Sequence, residues 1–290
     1  MIHGFVIIDK PAGITSHDVV AKLRRVAQQK RVGHAGTLDP AATGVLVTAL
    51  GNATRLIEYV QDATSKRYLA EVRLGVTTST DDAEGETLAT SPVPVLDDAA
   101  LEQVLGAFRG PIEQVPPMYS ALHHQGRRLH ELAREGITVE RAARPVMIER
   151  LELLARTPET LTLDVLCSKG TYIRSLARDI GAALGCGAHL AGLRRTAVGE
   201  FTLDDAHPLA GLADGNLPLA QVLLPAERAV LDWPAARVDA ETARRVRNGL
   251  PVALDVAGER ARIHAPGGEL LALAHRADEL WQPNKVFDWS

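Results

Sequence analysis

Helical and extended periods are interleaved along this chain without the regular strand–helix–strand rhythm that builds a doubly wound parallel sheet. Val19, Val20, Leu23, Val26 and Ala27 lie at helical spacing and predict a helix over 17–29 with Ser16 as its N-cap. Val45–Leu50 is a short apolar strand, 54–60 returns to helical spacing, and 66–75 alternates as a strand. A capped helix is expected over 98–108, strands over 146–154 and 160–168, a helix after Ser175, and a last strand near 193–201. The segment 114–144 begins with prolines, is rich in His and Arg, and reads as an excursion from the core. At 290 residues, 46% of them hydrophobic, the chain can bury about 75% of its unfolded surface without disulfide staples. Its two cysteines, Cys167 and Cys186, suit a reducing compartment. The apolar run Phe5–Ile8 is closed by Asp9 and Lys10, too short for a secretory or membrane-spanning segment. A cytoplasmic globular protein is expected, with no membrane contact.

A net charge of -4 lacks the basic excess usual in nucleic-acid binders. The charges are nonetheless segregated. Lys22, Arg24, Arg25, Lys30 and Arg31 fall in an acid-free stretch, whereas Asp81, Asp82, Glu84, Glu86, Asp97, Asp98 and Glu102 fall in a stretch without Lys or Arg. Arg127, Arg128, Arg134, Arg141, Arg144 and Arg150 form a second basic run, diluted by four glutamates. Such patterning allows one basic and one acidic face.

Pro208, Gly211, Gly215, Pro218 and Pro225 shift the composition of 204–229 toward that of a connector. Beyond it, Asp239 is placed to cap a helix through Asn248, with Gly249 at the left-handed closing position. Arg260–Ala265 and Leu270–Ala274, joined by Pro266-Gly267-Gly268, predict a hairpin. The chain divides into residues 1–229 and a small β-rich second domain, 230–290.

Three motifs carry candidate chemistry. In Gly33-His34-Ala35-Gly36-Thr37-Leu38-Asp39-Pro40-Ala41-Ala42-Thr43-Gly44, glycines permit tight backbone and Pro40 holds Asp39 extended. Asp39 suits presentation of a carboxylate to a pocket, and equally an N-cap followed by proline. In Ser168-Lys169-Gly170-Thr171-Tyr172-Ile173-Arg174-Ser175, a helix starting at Ser175 leaves Tyr172 and Arg174 extended and on one side, able to surround a carboxylate. Lys66-Arg67-Tyr68 sets an aromatic between cations, an arrangement suited to base stacking beside phosphate contacts. There is no CxxC, HExxH, P-loop ending, G-x-S-x-G elbow or dinucleotide fingerprint, so neither metal nor cofactor is expected.

Together these residues resemble the TruB family of pseudouridine synthases. The likeness runs from Lys10-Pro11-Ala12-Gly13 with Thr15-Ser16, through the Asp39 motif and Lys66-Arg67-Tyr68, to Pro117-Met118-Tyr119-Ser120-Ala121-Leu122. It continues in Cys167–Arg174, Gly185-Cys186-Gly187-Ala188-His189-Leu190 and Leu193-Arg194-Arg195, covering most of 3–201. The tail is similar, more loosely, to the family's PUA domain through Arg244–Gly249 and Val252.

The resemblance implies an α+β fold: a mixed, mainly antiparallel sheet with flanking helices, an RNA-gripping insertion at about 114–144, and a PUA-like RNA-binding domain. It implies conversion of uridine 55 in the T loop of tRNA to pseudouridine by base flipping, without cofactor. Asp39 is then the essential carboxylate, Tyr172 the base for the C5 proton, and Arg174 the partner of Asp39. Tyr68 stacks on the target base, Leu193 lines the pocket, and His34 fills the space the base vacates. Lys10, Lys66, Arg127 and Arg128 are expected RNA contacts. tRNA is the expected partner of a monomer with no protein partner implied. Covalent attack by Asp39 and removal of the C2′ proton both stay open. A tRNA-binding or folding-assistance module is the second reading. A glycosidase is disfavoured, because no second acid stands at a defined spacing from Asp39.

Overall fold

The apolar run near the amino terminus becomes a strand buried on both faces. The computed structural model describes residues 1–62, 65–120, 122–124 and 126–289; the side chains of His123, His124, Arg128, His130 and Arg134 lie outside that description. In β1 (Gly4–Lys10), Phe5 and Ile7 enter one core and Val6 and Ile8 another, which is why its sequence does not alternate.

Helix α1 (Ser16–Val26) is capped by Thr15 rather than the expected Ser16. Thr15 accepts from the Asp18 amide while Asp18 accepts from the Thr15 amide, a reciprocal pair that claims the cap. The helix stops short of 29 because Gln28 takes φ 48°.

β2 (Val32–Ala35) and β3 (Thr43–Leu50) follow, and the expected helix at 54–60 divides into a 3-10 turn, Gly51–Leu56, and α2 (Ile57–Asp62). β4 (Lys66–Leu74), β5 (Val76–Thr78), β6 (Thr87–Thr90), α3 (Asp98–Gly106) and β7 (Gly110–Gln114) precede the excursion. The excursion holds β8 (His123–His124), β9 (Arg127–Arg128) and α4 (Leu129–Arg134). β10 (Arg144–Arg156), β11 (Thr160–Cys167), α5 (Ile173–Ala183), β12 (Ala188–Val198) and β13 (Phe201–Thr202) complete the first body.

The main sheet runs β14-β1-β3-β12-β4-β11-β10-β7, where β14 is Ala206–Pro208, with β2 paired to β3 and β13 to β12. Among the described residues of this sheet only the β1–β14 and β3–β12 pairs are parallel, so the fold is the mixed, mainly antiparallel α+β class that was expected. Its β4–β7 half alternates. Tyr68, Ala70, Val72 and Leu74 face a core closed by α3 and α5, while Leu69 on the opposite face is 37% exposed. The two halves meet where Thr43 and Gly44 pair with Arg194 and Arg195. Gly44 has φ 97°, and a Cβ there would fall 2.1 Å from the Arg195 carbonyl oxygen, so no other residue fits.

The stretch 204–229 does not behave as a connector. β14 extends the sheet beside β1, and Leu209 and Leu212 of α6 (Leu209–Ala213) pack with Val222 of α7 (Leu219–Val222) into the α1 core. Proline and glycine mark the turns between these short elements rather than a linker.

The tail forms β15 (Ala235–Arg237), α8 (Ala240–Arg247, capped by Asp239), β16 (Arg260–His264), β17 (Leu270–Ala277) and β18 (Leu280–Val286) as a four-stranded sheet with one helix. Its Leu270, Leu273 and Phe287 share a core with Phe5, Ile7 and Val47. Arg55 lies over the Phe287 ring, Lys285 over Tyr59, and Trp289 meets His3 edge-on.

Candidate active site

Asp39 stands in the loop between β2 and β3. Three side chains fix that loop through its backbone. Ser16, freed from capping, accepts from the Leu38 amide (2.9 Å) and donates to the Leu38 carbonyl (3.1 Å). Lys10 is 0% exposed and donates to the carbonyls of Pro11, Ile14 and Pro40 at 2.8–3.0 Å. Burial lowers the Lys10 pKa and the charge of Asp39 works the other way. Lys10, expected as an RNA contact, lies inside the fold: its ammonium is enclosed and its three protons are committed to carbonyls.

Arg195, 1% exposed, is the third clamp. It donates to the carbonyls of Val45 (2.7 Å), Gly36 (3.0 Å) and Thr37 (3.4 Å). It also hydrogen-bonds the Tyr68 hydroxyl, whose pKa is raised by burial and pulled back by the Arg195 charge. Tyr68 is buried on the face of β4 that points toward this loop. Lys66 shares that face, and burial followed by the Arg195 charge lowers its pKa.

The loop leaves the Asp39 side chain 45% exposed, with Oδ2 3.2 Å from Arg174 Nη2. Arg174 is the second residue of α5, not an extended residue before it. Tyr172 is the N-cap, with φ -99° and ψ 110°. Ser175 lies inside the helix and donates to the Val115 carbonyl instead of capping. The 10%-exposed Arg174 guanidinium also reaches Asp82 Oδ2 (3.1 Å) and the carbonyls of Thr80 (3.3 Å) and Tyr119 (2.8 Å). Asp82 is the second acid that spacing alone did not reveal, since it comes from a distant acidic turn.

Buried Gln114 grips the Tyr172 backbone at both ends, accepting from its amide (2.8 Å) and donating to its carbonyl (3.1 Å). Burial raises the Tyr172 phenol pKa, while a Ser120 hydrogen bond and Arg174 lower it. His34 is half-buried, edge-on to His17 at 5.4 Å, with its Nδ1 unpaired among the described residues. Burial, His17 and Arg195 all lower its pKa, favouring the neutral ring. Leu193 lines a small cleft with Asp39, Asp82, Glu84, Arg174 and Leu190.

Arg127 of the excursion forms an ion pair with Glu135 at 2.5 Å. The Arg128 side chain lies outside the described residues. No group of His, Cys, Asp and Glu among the described residues could hold a metal ion. Ser16, Gln114 and Arg195 complete the site, although sequence reasoning gave Gln114 and Arg195 no role and Ser16 only that of an N-cap. For Arg195 the signal was present in Leu193-Arg194-Arg195.

Residues 24–173 match the TruB family pseudouridylate synthase N-terminal domain. Residues 174–231 match the tRNA pseudouridylate synthase B C-terminal domain. The chain is 48% identical over 255 residues to tRNA pseudouridine synthase B of Nitrosococcus oceani, covering 87% of this chain and 82% of the relative. It is 46% identical over 297 residues to the protein of that name from Heliobacterium modesticaldum, covering 99% and 96%. Among solved structures, a Cbf5-Nop10-Gar1 complex aligns at TM-score 0.75 with 28% identity, over 98% of this chain and 85% of that one. An H/ACA RNP bound to a substrate RNA containing 2′-deoxyuridine aligns at 0.73 with 26% identity, over 98% and 85%. With a half-exposed aspartate braced by an arginine in a loop locked from three sides, and with likeness along nearly its whole length, this chain belongs to the TruB family of pseudouridylate synthases.

Proposed function

We propose that this protein isomerises uridine 55 in the T loop of tRNA to pseudouridine, with Asp39 as the essential carboxylate. The observation that carries this reading is the Asp39–Arg174 contact at the mouth of a cleft, on a loop whose backbone Lys10, Ser16 and Arg195 hold rigid.

The reaction breaks the N1–C1′ bond, turns the uracil, joins C5 to C1′, and moves a proton from C5 to solvent while N1 gains one. It is neither oxidation nor group import. Arg174 aims Asp39 through their charge-assisted contact, and Asp39 acts on the ribosyl side of the breaking bond. Tyr68 stacks on the uracil, with Leu193 bounding the cleft. Tyr172 is the base for the C5 proton: its own phenol proton leaves to solvent first, and the phenolate then accepts from C5. Burial, which raises its pKa, makes that phenolate rarer but more basic. Everting the base costs a few kcal/mol; neutral His34 fills the gap left in the loop, and Lys66, Arg127 and Arg128 hold phosphates.

The chain divides functionally into a catalytic part, 1–229, with its insertion at about 114–144, and an RNA-binding part, 230–290. It acts in the cytoplasm as a monomer with tRNA as its partner. No helix among the described residues is long and apolar enough to cross a membrane.

Pseudouridine mapping on an unmodified tRNA transcript, incubated with the purified protein alone, tests this. Conversion at position 55 by wild type, and none by an Asp39→Asn variant that still retards tRNA in a gel, is the expected result. Conversion by the Asn variant removes Asp39 from the mechanism. No conversion by wild type overturns the activity itself.

A further inference from the structure

Arg178 lies four residues beyond Arg174 on α5, so the two guanidinium groups leave the same face of the helix one turn apart. They cross the same gap. Arg174 joins Asp82 to the Tyr119 carbonyl. Arg178 Nη1 lies 2.9 Å from Asp81 Oδ2, and its Nη2 donates to the Val115 carbonyl at 3.1 Å. Each arginine ties the acidic turn after β5 to the stem of the insertion, and only Arg174 also touches Asp39.

Asp81 is held with unusual firmness. It takes φ 61°, a left-handed conformation that few residues other than glycine, Asn and Asp adopt. Its carbonyl accepts from the Leu190 amide at 3.0 Å, on the chain that leads to Leu193. The Asp81 and Arg178 side chains are 19% and 27% exposed, so this pair is largely withdrawn from solvent.

We propose that Arg178 and Asp81 are positioning residues for the isomerisation. This rests on the function proposed above. By fastening the acidic turn to the insertion stem, they relieve Arg174 of that load. Its guanidinium then stays within hydrogen-bond reach of Asp39 when RNA pulls on the insertion. Without them, Arg174 alone spans turn and stem, and the brace on Asp39 loosens as the stem moves.

The test uses the full chain and an unmodified tRNA transcript. Arg178→Gln, Asp81→Asn and the double variant are compared in single-turnover rate, tRNA affinity and melting temperature. Asparagine tolerates the left-handed backbone, so Asp81→Asn removes charge without removing the turn.

Each single variant is expected to lose about tenfold in rate, a positioning effect. Affinity should change less than twofold, and any fall in melting temperature should leave the protein folded at the assay temperature. Because the two residues act as one unit, the double variant should lose no more than the worse single. Arg178→Lys, which keeps a cation for Asp81, should recover part of the rate lost by Arg178→Gln. Wild-type rates in both singles, losses that multiply in the double, or a rate that falls only as far as folded protein is lost would each overturn the pairing. Inactive wild type would instead overturn the function on which the pairing rests.

Discussion

Ser16 closes both backbone groups of Leu38: its Oγ accepts from the amide at 2.9 Å and donates to the carbonyl at 3.1 Å. The residue before Asp39 is thereby hung from the first turn of α1. Thr15, one position earlier, caps the helix through a reciprocal pair of hydrogen bonds with Asp18.

The two neighbours should separate stability from catalysis. Thr15→Ala removes a cap and should cost about 1 kcal/mol in urea denaturation while leaving the single-turnover rate near wild type. Ser16→Ala strands two buried backbone groups, should cost about 1–3 kcal/mol, and should lower the rate as well. Equal rates in the two variants would show that the Leu38 clamp has no bearing on Asp39.

Arg195 is nearly inaccessible and satisfies three carbonyls around the same loop. Arg195→Met leaves those oxygens without a donor and should destabilise the fold by about 2–4 kcal/mol. Arg195→Lys, with a single ammonium in place of the planar fork, should recover only part of that. Urea denaturation midpoints measure both. A methionine variant as stable as wild type would count against the clamp.

Asp82 shares the Arg174 guanidinium with Asp39. Asp82→Asn releases one side of that arginine and should slow single-turnover pseudouridine formation about 10- to 100-fold, the scale of a misplaced catalytic group. tRNA affinity should stay within a few-fold of wild type. A wild-type rate would mean that Arg174 is held adequately by the Thr80 and Tyr119 carbonyls alone.

Burial pushes the Cys167 thiol from an ordinary 9.0 up to about 11. The folded state therefore holds the proton where the unfolded chain has lost it. The stability this confers is complete below pH 9 and disappears as pH climbs toward 11. Between those limits wild type should lose about 2–3 kcal/mol more than Cys167→Ala, measured by denaturation at stepped pH. Identical pH profiles would show that the thiol titrates normally.

Much of this molecule was legible because local patterns and tertiary needs agree. β4 alternates because one face is covered, and Asp239 and Gly249 delimit α8 as their chemistry dictates. The errors came where a side chain had two possible uses. Ser16 and Ser175 both resemble caps, yet each spends its hydroxyl on a distant carbonyl, and Thr15 and Tyr172 take the caps. Nothing local separates these uses, because the partner lies on another element. Asp39 read from its own loop as either an N-cap or a presented carboxylate, and Asp82 reaches Arg174 only through the fold. Lys10, expected as an RNA contact, gathers carbonyls from two loops, a convergence that only the fold displays.

Phe5, Ile7 and Val47 pack with Leu270, Leu273 and Phe287. During synthesis, one face of β1 and β3 therefore emerges long before the residues that dry it. That face remains greasy and adhesive on the nascent chain, a period in which self-association competes with folding. The ribosome must deliver residues 270–287 before β1 and β3 can be finished.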